Sequence, residues 1–334
     1  MVKAAEDEKK CSLLITVVVH NGLANRLLPL VSCLRLAKQT NRKLNIIWNG
    51  TPVRSCIRYD GPPCKYYDLF EKNETLIELE KEGKIDYIRN YDFEYWLNKD
   101  MVMDVSCSGN IHTNYGLYTI IGEKEREESP TCMRLCDKIS QGGELVMDKI
   151  CKELGDLLRG DLQPVKELQN EIAKMKSTKF VNKNMIGIHI RSTDGGFTGI
   201  KWEGMITKLI EESVKWCKKS ESNGVFLATD NPKYYIEFAS KLVTEQFVFY
   251  NPPMELCGTK STNDDKFNND KYNVLSALIE MYLLGECNKG IVGTAASTFS
   301  VCGMLIGTSQ YEKSRHFLIN GKEHIPTFLD EFFS

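Results

Sequence analysis

The chain has 334 residues, 42% of them hydrophobic and 26% charged, a composition that suits a folded globular protein of about two domains. Forty-three Lys and Arg against 45 Asp and Glu leave a formal net charge of −2. No global field therefore draws the chain onto nucleic acid or anionic lipid, and any anion must be met locally. The leading MVKAAEDEKK is highly charged, and the apolar run that follows, LLITVVV, is far too short to span a bilayer or serve as a signal anchor. No membrane span is expected.

The first half opens with a β-branched run over 13–19, a turn at HNG, and then Leu23, Leu27, Leu30, Val31, Leu34 and Ala37 at helical spacing. A second apolar run, LNIIW, follows, so strand, helix and strand form a parallel βαβ unit. Pro29 is expected early in the helix, where a missing amide hydrogen costs least. From about 61 to 143 the pattern is irregular and rich in aromatics and charge. From 143 to 176 it is polar and helix-prone, ending in KSTKFVNKN, which reads as a linker.

The second half is more regular. Apolar runs at 185–190, 225–228, 247–250 and 291–293 alternate with amphipathic helices. The clearest of these is WEGMITKLIEESVKWC, with Trp202, Met205, Ile206, Leu209, Ile210 and Cys217 on one face. The expected fold class is α/β: two Rossmann-like lobes with parallel sheets and a cleft between them. The boundary falls at 178, giving one lobe over 1–178 and a second over 179–334, with the final helix packed back on the first lobe.

In open α/β sheets ligands sit beyond the carboxyl ends of the strands, so the four exits HNGLANR, HIRSTDGG, LATDNP and GTAASTFS hold the candidate chemistry. In the last, small residues and the hydroxyls of Ser297, Thr298 and Ser300 open a helix whose amides suit phosphate; equally, Ser297 could be an ordinary N-cap. Arg191 offers an always-charged fork for a phosphate, or a surface ion pair with Asp194. His189, two residues before Arg191, points to the same side of the strand. Asp230 is either an acceptor for paired N–H donors or a helix cap, and Asn25 and Arg26 are either caps or cleft-lining donors.

Several sites are missing from the sequence: G-x-G-x-x-G after the first strand, G-x-x-x-x-G-K-[ST], G-x-S-x-G and H-E-x-x-H. Nor does a D-x-D close a strand, as a metal-bound diphosphate would require. Arginine and helix dipole must then neutralise any diphosphate. The twelve cysteines are scattered, and the closest pair, Cys132 and Cys136, lacks zinc-spaced partners. Isolated buried thiols in the reducing cytosol are expected, with the secretory lumen as the alternative for a truncated chain.

Taken in order, the four exits resemble the fucosyltransferase superfamily that includes the α1,2, α1,6 and protein O-fucosyl branches. GLANRLLPLVSCLRLAKQTNRKL looks like its amino-terminal segment, HIRSTD has its H-x-R-x-x-D spacing, FLATDNP is similar to its second motif, and ALIEMYLLGECNKGIVGTAASTFS resembles its third. The resemblance implies a GT-B glycosyltransferase with an acceptor-side lobe over 1–178 and a nucleotide-sugar lobe over 179–334, which uses GDP-fucose, needs no cofactor or metal, inverts at the anomeric carbon and acts on a glycan or glycoconjugate; the alternatives are the same fold with another nucleotide-sugar donor, or a GDP-sugar-binding protein without turnover. It further implies that Arg191 holds the diphosphate, His189 lines the nucleotide pocket and Asp230 recognises guanine. Ser297, Thr298 and Phe299 would embrace the phosphates, and Asn25 would reach them from the other lobe. Two positions depart from the family: Ser192 replaces a second arginine, and Gly199 stands where the α1,6 branch has a glutamate. Asp194, Glu203, Asp92 and Glu94 are candidate bases; otherwise the leaving phosphate takes the proton.

Overall fold

The computed structural model describes residues 14–18, 22–39, 43–48, 50–53, 56–59, 64–78, 111–113, 143–145, 149–191, 202–219, 222–231, 233–242, 247–249, 271–294, 297–307 and 316–319. In the first half, β1 (Leu14–Val18) leads into α1 (Leu23–Gln39) and β2 (Lys43–Ile47), and the two strands pair in parallel with Val17 opposite Ile46. This is the βαβ unit expected from the sequence. A hairpin of β3 (Gly50–Val53) and β4 (Cys56–Tyr59), a short α2 (Tyr66–Leu69), β5 (Leu76–Glu78) and β6 (Ile111–Thr113) follow. The first sheet runs β5-β2-β1-β6, all parallel.

Every α1 position singled out by helical spacing is buried, from Leu23 to Ala37. Pro29 is a correction, because it lies in the helix's second turn rather than its first. There it removes the amide that would have bonded the Asn25 carbonyl.

The second sheet draws on both halves. β7 (Gly143–Leu145) is followed by α3 (Lys149–Gly160) and α4 (Lys166–Met175), and a π-helical turn over Lys176–Phe180 extends α4. The expected linker is thus helical over its first five residues and turns before β8. Its Ser177 and Thr178 hydroxyls donate to the Lys174 carbonyl at 3.1 and 2.7 Å, which keeps the coil wound. Then come β8 (Met185–Ile190), α5 (Trp202–Lys219), β9 (Gly224–Thr229), α6 (Lys233–Lys241), β10 (Phe247–Phe249), α7 (Lys271–Gly285), β11 (Ile291–Thr294), α8 (Thr298–Ile306) and β12 (His316–Ile319). The sheet runs β10-β9-β8-β11-β12-β7 and is parallel except where β7 pairs with β12. The final residues, where a closing helix was expected, lie outside the described residues.

Strand alternation decides what each helical layer touches. Ile186, Ile188 and Ile190 of β8 join Val225 and Leu227 of β9 in a core with Ile206, Leu209 and Ile210 of α5 and Phe238 of α6. Met185, Phe226 and Ala228 face the other way, into a cluster with α7 and α8. That cluster continues without a break through α3 and α4 into α1 and β2, so residues from both sheets share one buried core. Both faces of β8 and β9 are covered, which is why they read as unbroken apolar runs.

Close glycine contacts set where α8 lies. A Cβ on Gly285 would come within 2.6 Å of Ile306, and one on Gly303 within 3.1 Å of Leu284, so these two glycines let α7 and α8 approach. Arg159 of α3 donates to the carbonyls of Leu305 and Ile306, closing the carboxyl end of α8. Lys271 of α7 meets Asp68 of α2 at 2.8 Å, a further tie between the halves.

Candidate active site

Because β9, β8 and β11 are parallel neighbours, their carboxyl ends open on one edge. His189 is the penultimate residue of β8, flanked by Ala228 of β9 and Gly293 of β11. It is only 6% exposed. Its Nδ1 lies 2.8 Å from Ser300 Oγ and 3.4 Å from Ser297 Oγ, and its ring stacks on Phe299 at 4.7 Å between centroids. One imidazole thereby fastens the first turn of α8 to the end of β8.

Arg191, the first residue past β8, is half-buried, and its backbone N–H donates to Thr294 Oγ1 at 3.1 Å. The Thr294 hydroxyl in turn donates to the His189 carbonyl at 3.2 Å. The Arg191 exit and the hydroxyl-rich turn are therefore adjacent and joined by hydrogen bonds. Ser297 stands at the N-cap position but makes no side-chain cap; its hydroxyl turns to His189 instead. The capping alternative fails for that reason, and the α8 amino terminus carries its dipole toward the Arg191 exit.

From the other half, Asn25 Oδ1 accepts a hydrogen bond from Thr298 Oγ1 at 2.8 Å, and Cys302 Sγ approaches the Ala24 carbonyl at 3.9 Å. Asn25 and Arg26 are the third and fourth residues of α1, so neither is its cap. Arg26 instead lies buried, its guanidinium 5.2 Å from the Trp48 ring centroid, and burial pulls its pKa down to about 10.

Asp230 follows β9 directly and is half-buried. Capping around it is done by its neighbours: Asn231 N–H donates to Thr229 Oγ1 at 3.3 Å, and Lys233 N–H donates to Asn231 Oδ1 at 3.1 Å. Two residues that the sequence reading did not single out surround it. Tyr235 of α6 is hydrogen-bonded to the Glu280 carboxyl group of α7 and to the Thr229 backbone. Burial, reinforced by the Asp230 charge, pushes the Glu280 carboxyl up to about 8. A signal was available: Glu280 is the one acid within the apolar stretch NVLSALIEMYLLG.

Of the predicted site residues, the structure brings together His189, Arg191, Ser297, Thr298, Phe299 and Asn25 through contacts, and Asp230 through the sheet edge. Asp194, Asp92 and Glu94 lie outside the described residues. Glu203 falls within α5, but its side chain is also outside them. The six described cysteines, Cys33, Cys64, Cys151, Cys217, Cys287 and Cys302, are buried free thiols, as expected.

No protein-family model and no curated protein matches the sequence. Solved structures do. A NodZ α-1,6-fucosyltransferase soaked with GDP-fucose superposes with a TM-score of 0.56 at 13% identity, over 92% of this chain and 99% of that one. The chain has the GT-B-type fold of this fucosyltransferase. Fucosyltransferase NodZ from Bradyrhizobium gives 0.54 at 16% identity, over 88% of this chain and 92% of that one. A mutant of Arabidopsis thaliana FUT1 in complex with GDP gives 0.56 at 16% identity, over 90% of this chain and 70% of that one. No helix among the described residues is long and apolar enough to cross a membrane.

Proposed function

We propose that this protein transfers fucose from GDP-fucose to a hydroxyl of a glycan or glycoconjugate, with inversion and without a metal. The observation that carries the reading is the joined pair of exits: Arg191 N–H on Thr294 Oγ1 at 3.1 Å, and His189 Nδ1 on Ser300 Oγ at 2.8 Å. A guanidinium and a helix amino terminus on one sheet edge suit a diphosphate. The shared fold with NodZ, which was soaked with GDP-fucose, supports the same donor.

In this reaction the acceptor oxygen attacks the anomeric carbon from the face opposite the diphosphate, and the glycosyl–phosphate bond breaks toward GDP. Positive charge builds on the sugar ring and negative charge on the departing β-phosphate. Arg191, anchored by its backbone N–H on Thr294, supplies a guanidinium that stabilises that negative charge together with the first-turn amides of α8. His189, pinned by Ser297 and Ser300 and stacked on Phe299, keeps the turn in register. Asp230 accepts the N–H donors of guanine, and Asn25 fixes the α1 side of the site through Thr298. The acceptor proton leaves to a carboxylate, for which Asp194 and Glu203 are the candidates, or to the leaving phosphate.

Release of GDP from GDP-fucose over a panel of glycans and glycopeptides, in EDTA, tests the proposal. Turnover in EDTA supports it. Turnover only after a divalent ion is restored removes the metal-independent part, and stabilisation by UDP but not GDP points to another donor.

A further inference from the structure

Helix α8 presents its amino end to the β8 exit, and the first half of the chain holds it at both ends. At its start, Thr298 Oγ1 donates to Asn25 Oδ1 of α1 at 2.8 Å. At its finish, Nη1 of Arg159 on α3 donates to the carbonyls of Leu305, at 3.2 Å, and Ile306. The two grips belong to one frame, because Arg35 and Lys38 of α1 pair with Glu153 of α3 at 2.9 Å and with Asp161, just beyond α3, at 2.6 Å. The Tyr282 hydroxyl of α7 ties down the same end of α3, lying 3.0 Å from the carbonyls of Leu158 and Leu162. Asp156, one turn earlier on α3, pairs with the other arm of the Arg159 guanidinium and so aims it.

We propose that Arg159 is a positioning residue for donor binding: by closing the carboxyl end of α8 it fixes how far the amino end of that helix reaches toward the diphosphate. The inference rests on the proposed GDP-sugar site. Hydrophobic burial is non-directional, and at Gly285 and Gly303 the contact between α7 and α8 lacks the side chains that would key one helix to the other. The depth of α8 is therefore set by polar ties at its ends, and the Arg159 tie is the one remote from the ligand. The nine residues of α8 span about 13 Å, so Arg159 acts on the phosphate only through the rod between them. A cation bonded to the last carbonyls also complements the helix dipole there. Slack at that end lets the amides at the start of α8 draw back from a bound phosphate, and hydrogen bonds weaken steeply with such misfit.

Calorimetric titration with GDP tests this across variants of Arg159. In Arg159→Met, which keeps the reach of the side chain without a donor, GDP should bind about tenfold more weakly, and KM for GDP-fucose should rise alike while kcat falls less than about threefold. Because the single nitrogen Nη1 serves both carbonyls, an ammonium can replace it, and Arg159→Lys should hold GDP affinity within about threefold of the wild type. By linkage, GDP should in turn slow hydrogen exchange at the Leu305 and Ile306 amides of the wild type. A folded Arg159→Met with a lower melting temperature but unchanged GDP affinity marks a merely structural role and overturns the proposal, as does equal weakening in Arg159→Met and Arg159→Lys. Should Arg159→Met fail to fold, exchange in the wild type decides, and no slowing at the carboxyl end of α8 overturns the proposal. A wild-type chain that binds no GDP overturns the GDP-sugar site itself, whereas GDP binding that Arg159→Met leaves unchanged overturns only this inference.

Discussion

The exits of β8 and β11 and the exit of β9 lie on one sheet edge, yet they are opposite in chemistry. At β8 and β11, Arg191, His189, Thr294, Ser297 and Ser300 present a cation, hydroxyls and a helix amino terminus. At β9, Asp230, Tyr235 and Glu280 present carboxyl groups held by a phenol. Between them the edge is polarised, with donors on one side and acceptors on the other. A nucleoside diphosphate has the complementary pattern, with phosphate oxygens at one end and, in guanine, paired N–H groups at the other. Under the proposed function, that contrast matches the two ends of such a ligand, so loss of either side should have different consequences.

The largest expected effect breaks the donor side. Arg191→Ala should lower kcat on the order of a hundredfold to a thousandfold while the protein stays folded, because the Arg191 contact to Thr294 uses the backbone. Steady-state kinetics on GDP-fucose with calorimetry of the apo protein check both parts. A near-normal rate would remove the guanidinium from the mechanism.

The next effect separates the acceptor side by pH. Glu280 has its usual value of 4.5 when unfolded and about 8 when folded, so between these the folded state holds a proton that the unfolded state has lost. Stability from this group is therefore present below pH 4.5 and declines as pH rises to about 8, by a few kcal/mol at roughly 1.4 kcal/mol per unit. Denaturant unfolding over that range should show the decline in the wild type and a flatter profile in Glu280→Gln. Identical profiles would place Glu280 in water.

The smallest effect concerns the junction between the halves. Thr298→Val removes the donor to Asn25 Oδ1 and should cost about 1 kcal/mol, a drop of about 2 °C in melting temperature. An accompanying rise in KM larger than the fall in kcat would indicate that Asn25 acts in donor binding. No change in either would make the bond incidental.

Much of this was legible in the sequence because burial on both faces leaves a plain record. β8 and α5 begin where their apolar patterns begin, and β11 extends one residue past its pattern. The exits were legible for the same reason, since a polar residue directly after a buried run must meet water or a partner. Other features depend on contacts distant in sequence and leave no local trace. Ser297 reads as a cap until His189, 108 residues earlier, takes its hydroxyl. Pro29 reads as a first-turn residue because the sequence does not fix where α1 starts. KSTKF reads as coil because its hydrophilicity hides the two hydroxyls that wind it onto Lys174. The close packing of α7 on α8 depends on Gly285 and Gly303, which composition alone does not reveal.

The most direct test is a crystal structure of the protein soaked with GDP. The account predicts the diphosphate between the Arg191 guanidinium and the amides at the start of the helix Thr298–Ile306, with the guanine edge at Asp230. A diphosphate bound away from both Arg191 and Ser297, or a guanine reversed along the sheet edge, would contradict it.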